Sequence, residues 1–291
     1  MKIAFQGETG AYSEEAVFAL CPDAEPSPCI TFEDVFIAVR EGEVEHGIIP
    51  IENSLYGSVH ENYDLLQEFS LLITAEVNLR VRHLLLGVRD SSITNLRAVY
   101  SHPQALGQCR TFLRTTLPNA ELIPSYDTAG AARMIAEKGV LDVAAIASVR
   151  AAEEYNLVVL AESIESNHHN FTRFLRLSDA SPGRCAASEE DGGGGADYQT
   201  KGDIKTSIVY AQKENVPGSL FKSLAVFALR DIDLLKIESR PLIGCPGKYV
   251  FYLDLGGSRD DESVKNALRH LEEVAASVKV LGSYAVGRQI N

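Results

Sequence analysis

The sequence predicts an α/β protein: two similar strand-and-helix halves, a linker, and a small βαββαβ domain of ferredoxin-like order. Three observations carry that expectation. From residue 2 to about 177, short apolar runs bounded by turn residues alternate with helix-patterned segments, as when helices cover a largely parallel sheet. The apolar run 143–147 and the helix that follows Ser148 repeat the layout of the 48–54 region without sequence identity, which implies two similar halves. Between 179 and 203 the composition turns to Pro182-Gly183, acidic Glu189-Glu190-Asp191 and four consecutive glycines at 192–195, a flexible linker. The expected organisation is a first domain at 1–178, the linker at 179–203 and a second domain at 204–291.

Residues 2–6 read as a short buried strand, followed by the turn Gly7-Glu8-Thr9-Gly10-Ala11-Tyr12. Ser13, with Glu14-Glu15 after it, is the expected N-cap of the first helix. A strand, a glycine turn and a helix start favour an anion, because free N–H groups point outward there. The Gly7/Gly10 spacing has neither the dinucleotide fingerprint nor a P-loop lysine. Thr31, with Glu33-Asp34, starts a helix over 32–41. The run 48–51 is a central parallel strand that ends in polar Glu52-Asn53-Ser54, where ligands of open α/β sheets bind. A helix over 58–69 and strands at 71–81, 82–88 and 98–100 come next. Ser101-His102-Pro103-Gln104 then opens a helix with Pro near its first turn. Its Gln104 and Gln108 share a face. A strand at 120–124, a helix capped by Asp127-Thr128 and the strand 143–147 lead to the last stretch of the half. There the polar group His168-His169-Asn170-Phe171-Thr172-Arg173 precedes a strand expected at 174–177.

Beyond the linker, 205–212 alternates as a strand and Pro217-Gly218-Ser219 opens a helix over 220–230. A strand at 232–237 runs into Glu238-Ser239-Arg240-Pro241, and 249–255, 260–277 and 278–284 complete the strand, helix, strand pattern.

A net charge of −13 and the lack of a Lys/Arg run exclude nucleic acid as an expected partner. Any anionic ligand must therefore be held locally by Arg, Ser or Thr groups. The five cysteines are odd in number and form no Cys-x-x-Cys pair, so reduced thiols and no zinc site are expected. The apolar start reaches Glu8 too soon for a signal-peptide core, and no apolar run nears the ~20 residues of a membrane span. A soluble, cytoplasmic chain without a membrane partner is the expectation.

Four motifs, in order, carry a resemblance. They are Gly7-x-x-Gly10-Ala11-Tyr12-Ser13; Pro50-Ile51-Glu52-Asn53-Ser54; Ser101-His102-Pro103-Gln104 with Gln108-Cys109; and Asn170-x-Thr172-Arg173-Phe174. Together they resemble the prephenate dehydratases and their arogenate-using relatives over residues 1 to about 178. The C-terminal part resembles an ACT domain, through Pro217-Gly218-Ser219-Leu220 and Glu238-Ser239-Arg240-Pro241. The resemblance implies a two-lobed catalytic domain similar to periplasmic solute-binding proteins, with the site between the lobes. It implies conversion of prephenate to phenylpyruvate in phenylalanine synthesis, without a metal or organic cofactor. It also implies feedback inhibition by L-phenylalanine at the ACT domain and a homodimer or homotetramer built through that domain.

By resemblance Thr172 donates the proton to the departing ring hydroxyl, a task worth about 10²–10⁴-fold for a positioned general acid. A free hydroxyl is a feeble acid, so it needs a preorganised network, for which Asn53, Ser101 and Gln108 are the candidates; Glu52 is a further expected catalytic residue. Arg173 matches a substrate carboxylate in geometry. Thr9, Ser13 and Phe174 complete the expected substrate contacts. In the ACT region Asn215, Pro217, Gly218, Ser219 and Leu220 would cradle phenylalanine, with Glu238 and Ser239 facing it across a subunit interface. More ordinary roles compete: Glu52 as a capping carboxylate, Arg173 in a salt bridge, Cys109 as a buried thiol, His102 as a turn brace. The pair His168 and His169 reads as exposed loop. Two rival functions differ in class. One is arogenate dehydration directly to phenylalanine, for which Asp127-Thr128-Ala129-Gly130-Ala131-Ala132 is the segment expected to set preference. The other is a non-catalytic amino-acid sensor.

Overall fold

In strand β1 (Lys2–Gln6), Ile3, Ala4 and Phe5 are fully buried, which is the two-sided burial of a strand inside a parallel sheet. The computed structural model describes residues 1–179, 204–242 and 244–291, so most of the expected linker lies outside the described residues. The described chain falls into two units: Met1–Leu65, Val77–Leu175 and Arg288–Asn291 form the first, Leu66–Glu76 and Arg176–Gly287 the second.

After β1 come α1 (Tyr12–Leu20), β2 (Glu25–Cys29), α2 (Phe32–Glu41), β3 (His46–Asn53) and the two-residue β4 (Gly57–Ser58). Then follow α3 (His60–Glu68), β5 (Leu71–Arg80), β6 (Leu84–Gly87) and β7 (Ala98–Ser101). Next are α4 (Pro103–Gln108), α5 (Arg110–Thr116), β8 (Glu121–Pro124), α6 (Thr128–Lys138), β9 (Val143–Ala147), α7 (Val149–Glu154), β10 (Val158–Ala161) and β11 (Phe171–Asp179). The C-terminal part holds β12 (Ile204–Gln212), α8 (Ser219–Ala228), β13 (Leu234–Pro241), β14 (Tyr249–Gly256), α9 (Glu262–Val274), β15 (Ala275–Ala285) and β16 (Gln289–Ile290).

The first unit is two α/β lobes, as the repeated pattern predicts. One lobe is built on the sheet β16-β5-β11-β3-β1-β2, with β4 hairpinned on β3, and the other on β10-β6-β9-β7-β8. In the second lobe, alternation along β9 sends Ala144 and Ile146 to a core with Val99, Cys109 and Leu113. Ala145 and Ala147 go to a core with Ala131, Ile135 and Ala151. Burial on both faces fixes the register of this strand. The described C-terminal part of the second unit has the sheet order β13-β14-β12-β15, the ferredoxin-like arrangement, and α8 and α9 pack with it around Ile208, Phe227, Leu253 and Leu271.

Four details depart from the sequence expectation. β2 carries Pro26 and Pro28 and is nonetheless paired parallel to β1; it lies at the sheet edge, where a missing N–H is tolerated. Ser13 is not a cap: α1 starts at Tyr12 after Ala11, and Ser13 is buried inside the helix. β11 starts at Phe171, so Thr172 and Arg173 belong to the strand and not to a loop before it. β13 extends through Pro241, which places Glu238 and Ser239 inside a strand.

Candidate active site

The ends of β3, β11, α4 and α1 and the β5–β6 connection meet in the first unit. β3 ends at Asn53, where the hairpin to β4 turns the chain back, and the backbone N–H groups of Leu55 and Tyr56 donate to Asn53 Oδ1 at 2.9 and 3.1 Å. Those two bonds fix the Asn53 amide, because only its oxygen accepts. Its Nδ2 donates to Thr172 Oγ1 at 2.9 Å and to Asn170 Oδ1 at 2.8 Å. Thr172 is buried, and Asn170 is wholly so. Asn170 Nδ2 donates to Gln108 Oε1 at 3.0 Å, which ties the start of β11 to the last residue of α4 in the other lobe. His83 Nε2 bonds the same Gln108 oxygen, and His83 Nδ1 lies 2.8 Å from the Tyr12 hydroxyl. Burial pulls the His83 imidazole below its ordinary value, against the opposing pull of Gln108 and Glu165. Burial pushes the Tyr12 phenol well above its own.

The site residues expected from the sequence divide accordingly. Thr172, Asn53 and Gln108 join one network. Ser101 is fully buried and its hydroxyl donates to the Ile146 carbonyl at 2.6 Å, so its hydrogen is engaged inside the second lobe's sheet. Glu52 pairs with Ser58 across the β3–β4 hairpin. Strand alternation sends Arg173 to the face of β11 opposite Thr172, so the two are not aimed together. Phe174 is 2% exposed and packs with Ile3, Phe5 and Ile48, which makes it a core residue and not a ligand contact. Thr9 accepts the Tyr155 hydroxyl on its carbonyl at 2.7 Å. His102 is the N-cap of α4: its Nδ1 accepts the Gln104 N–H at 3.3 Å, the brace expected of it. His168 is exposed and 3.2 Å from Glu165 Oε1, while exposed His169 accepts Ser54 Oγ on its carbonyl. Asp127 caps α6 by accepting the Gly130 N–H.

The sequence alone does not reveal the parts of the network that come from far along the chain. His83 lies in a stretch legible only for its apolar pattern, and Tyr12 and Asn170 enter as motif letters without a role. The network also needs the two lobes joined, and several bonds join them. Ser148 Oγ donates to the Gly10 carbonyl at 2.7 Å, and Glu14 Oε2 accepts both the Gly10 N–H at 2.7 Å and Arg150 Nε at 3.4 Å. Arg133 pairs with Glu8 at 2.7 Å. Among the described residues, no group of three or more His, Cys, Asp or Glu is placed to hold a metal ion. No described helix is long and apolar enough to cross a membrane.

The second unit has a cavity of about 480 Å³, within the usual range for small-ligand pockets. Gln212, Asn215, Gly218, Ser219, Leu220, Ser239 and Phe251 are among its lining residues; Pro217 and Glu238 are not. Alternation in β13 turns Glu238 away from the face that carries Ser239. Gln212 Oε1 accepts from Ser219 Oγ at 3.2 Å, and its buried Nε2 has no hydrogen-bond partner among the described residues.

Comparison with known proteins adds four findings. Residues 3–182 match the model of the family described as prephenate dehydratase. An Arabidopsis thaliana protein named arogenate dehydratase/prephenate dehydratase 2, chloroplastic, is 45% identical over 98% of this chain and 73% of its own length. Among solved structures, the Arthrobacter aurescens prephenate dehydratase in complex with L-Phe superposes with a TM-score of 0.85 at 31% identity, covering 98% of this chain and 90% of its own. A protein described as a quorum-quenching acylase matches with a TM-score of 0.85 at 31% identity, covering 99% of this chain and 98% of its own.

Proposed function

This chain belongs to the prephenate dehydratase family, and from that premise we propose that it converts prephenate to phenylpyruvate in phenylalanine synthesis. The reaction takes up one proton and releases water and carbon dioxide. The ring carbon–oxygen bond breaks with its electron pair leaving on oxygen. The pair from the ring–carboxylate bond enters the ring, which becomes aromatic. The hydroxyl is a poor leaving group unless it is protonated as it departs, so the step needs a placed acid.

Thr172 is our candidate for that acid, and one observation carries the reading. Its Oγ1 accepts from Asn53, whose amide is fixed by the Leu55 and Tyr56 N–H groups, so that bond leaves the Thr172 hydrogen free to be donated. Gln108 supports the same reading as a donor to the substrate, and Ser101, with its hydrogen engaged, as an acceptor or a brace of the strand end. Glu52 lies next to Asn53 at the end of β3. Arg173, on the other face of β11, is a candidate carboxylate partner only if the ligand reaches that face; Thr9 and Ser13, at the start of α1, are the alternative. The test is kcat on prephenate. We expect Thr172→Ala to lose at least 100-fold and Thr172→Ser to stay within tenfold of wild type. Turnover by Thr172→Ala within threefold of wild type removes the assignment.

Regulation is part of the proposal. L-phenylalanine is the proposed effector, seated in the 480 Å³ cavity with its polar end at the start of α8. The Arthrobacter relative, solved with L-Phe, supports that choice. We further propose a homodimer or homotetramer formed through the C-terminal domains, and a cytoplasmic chain, although the Arabidopsis relatives bear chloroplast names. A second reading has its own support: a Petunia hybrida relative at 43% identity is named arogenate dehydratase 2. Initial rates on prephenate and arogenate, each with and without phenylalanine, decide between the two substrates.

A further inference from the structure

We propose that His83 is a positioning residue of the site, a neutral imidazole whose Nε2–H holds the Gln108 amide with its NH₂ group turned toward the ligand. The directions of the hydrogen bonds follow from two backbone groups. Leu55 and Tyr56 can only donate, so the atom they meet is Asn53 Oδ1 and the other atom of that amide is Nδ2. Nδ2 can only donate, so the atom of Asn170 facing it at 2.8 Å is the oxygen. The remaining Asn170 atom is then the NH₂, and the Gln108 atom 3.0 Å from it is Oε1. A ring nitrogen bonded to that oxygen must carry a hydrogen, which makes His83 Nε2 a donor. Each amide orientation is thereby forced in turn, from the β3–β4 hairpin to the far side of the site.

The surroundings of His83 select the neutral form of this tautomer. The ring is 2% exposed, and burial disfavours its charged state. The Tyr12 hydroxyl of α1 has one hydrogen and two acceptors in reach, Nδ1 and the Arg82 carbonyl, each at 2.8 Å; in the neutral Nε2–H ring that hydrogen turns to Nδ1, and it stays on the carbonyl only if Nδ1 carries a hydrogen of its own. Glu165 accepts the His83 backbone N–H at 3.0 Å and is itself 3.6 Å from Arg80, a cation that offsets its charge in part. Glu15 and Cys109 stand near Tyr12 and raise its phenol further. With Oε1 taken by two donors, the Gln108 NH₂ makes no hydrogen bond to a described residue and is the part of the amide a ligand meets. Without the His83 donor only Asn170 opposes rotation of the amide, and the rotated form presents an acceptor where an anionic substrate needs a donor.

The kinetic arm of the test rests on the dehydratase reading; the spectroscopic arm does not. In wild-type protein labelled with ¹⁵N-histidine, the His83 signals, assigned by their loss in His83→Gln, should report a neutral ring with hydrogen on Nε2 at pH 7. An imidazolium or an Nδ1–H tautomer overturns the proposal, whatever the substrate. On the better substrate, His83→Leu should lower kcat/KM by 10- to 100-fold. His83→Gln, whose amide N–H reaches about where Nε2 stands, should recover to within fivefold of wild type. A His83→Gln loss as large as that of His83→Leu overturns the proposal, as does a His83→Leu rate within threefold of wild type.

Discussion

At the scale of single residues, the site works by direction more than by distance. Asn53 provides a sharp test, because Asn53→Asp changes no shape and reverses one direction. The introduced carboxylate keeps an oxygen for the Leu55 and Tyr56 N–H groups, but its second oxygen can only accept where Nδ2 donated to Asn170 and Thr172. The Thr172 hydroxyl then turns to donate to that carboxylate and no longer offers its hydrogen to a substrate. A loss of at least 100-fold in kcat is expected, about 2.7 kcal/mol at the barrier; a rate within tenfold of wild type contradicts the directional scheme. Glu15 makes a second prediction, on stability. Burial is the main cause that pushes its carboxyl up to about 7, helped by nearby Glu153 and Glu14, and its buried Oε1 has no hydrogen-bond partner among the described residues. A carboxyl raised in the folded state binds a proton between the unfolded value of about 4.5 and 7 that the unfolded chain has lost, so it costs stability as pH rises through that window. Glu15→Gln should therefore leave stability at pH 4 nearly unchanged and raise it at pH 8. The gain, discounted for partial exposure, is on the order of 1–2 kcal/mol. Urea midpoints at the two pH values check it; an equal effect at both refutes the raised carboxyl.

At the scale of elements, the approach of α1 to α7 sets how the lobes are joined. Gly10 stands between them with φ 91°, and a β-carbon there would come within 2.8 Å of the Ala151 α-carbon. Backbone cannot give way as a side-chain end can. Gly10→Ala should therefore destabilise the protein by about 1–3 kcal/mol, read as a lower urea midpoint, and weaken the Ser148 and Glu14 bonds that join the lobes. Gly57 also has positive φ but open space around it, so Gly57→Ala should cost less than Gly10→Ala; the reverse order refutes the crowding argument. The same elements show how far the sequence can be read. Strands with buried runs, such as 48–51 and 143–147, and helices with side-chain caps at Thr31, Asp127 and Ser148, are legible because pattern and cap agree locally. β2 is hidden by its two prolines, which are allowed only by its edge position. β16 is too short for a pattern and forms because β5 offers Asn78 and Leu79 as pairing partners. The start of β11 reads as a polar loop because its first residues serve the network and not the core. Thr172, Asn53 and Gln108 are reached through the family motifs. Tyr12 enters as a motif letter without a role, and His83, 71 residues away in sequence, is not reached at all, since no local pattern announces a hydrogen bond between distant segments.

At the scale of the whole molecule, the question is how an effector in the second unit changes chemistry in the first. An effector moves an equilibrium only as far as its affinities for two states differ, and the coupling is reciprocal. Phenylalanine should therefore bind less tightly when the active site is saturated, if it inhibits by favouring the less active state. The cavity in the second unit can be tested without disturbing catalysis. Ser239 lines it from an exposed position on β13, and its substitution leaves the packed face of the sheet intact. An indole at that position intrudes into the cavity beside Phe221, Tyr249 and Phe251. Ser239→Trp should leave kcat in the absence of phenylalanine within twofold of wild type. It should shift the inhibition midpoint at least tenfold upward, a coupling loss of about 1.4 kcal/mol or more. Equal inhibition of variant and wild type would move the effector site away from this cavity. Loss of activity without phenylalanine would show that β13 supports catalysis directly.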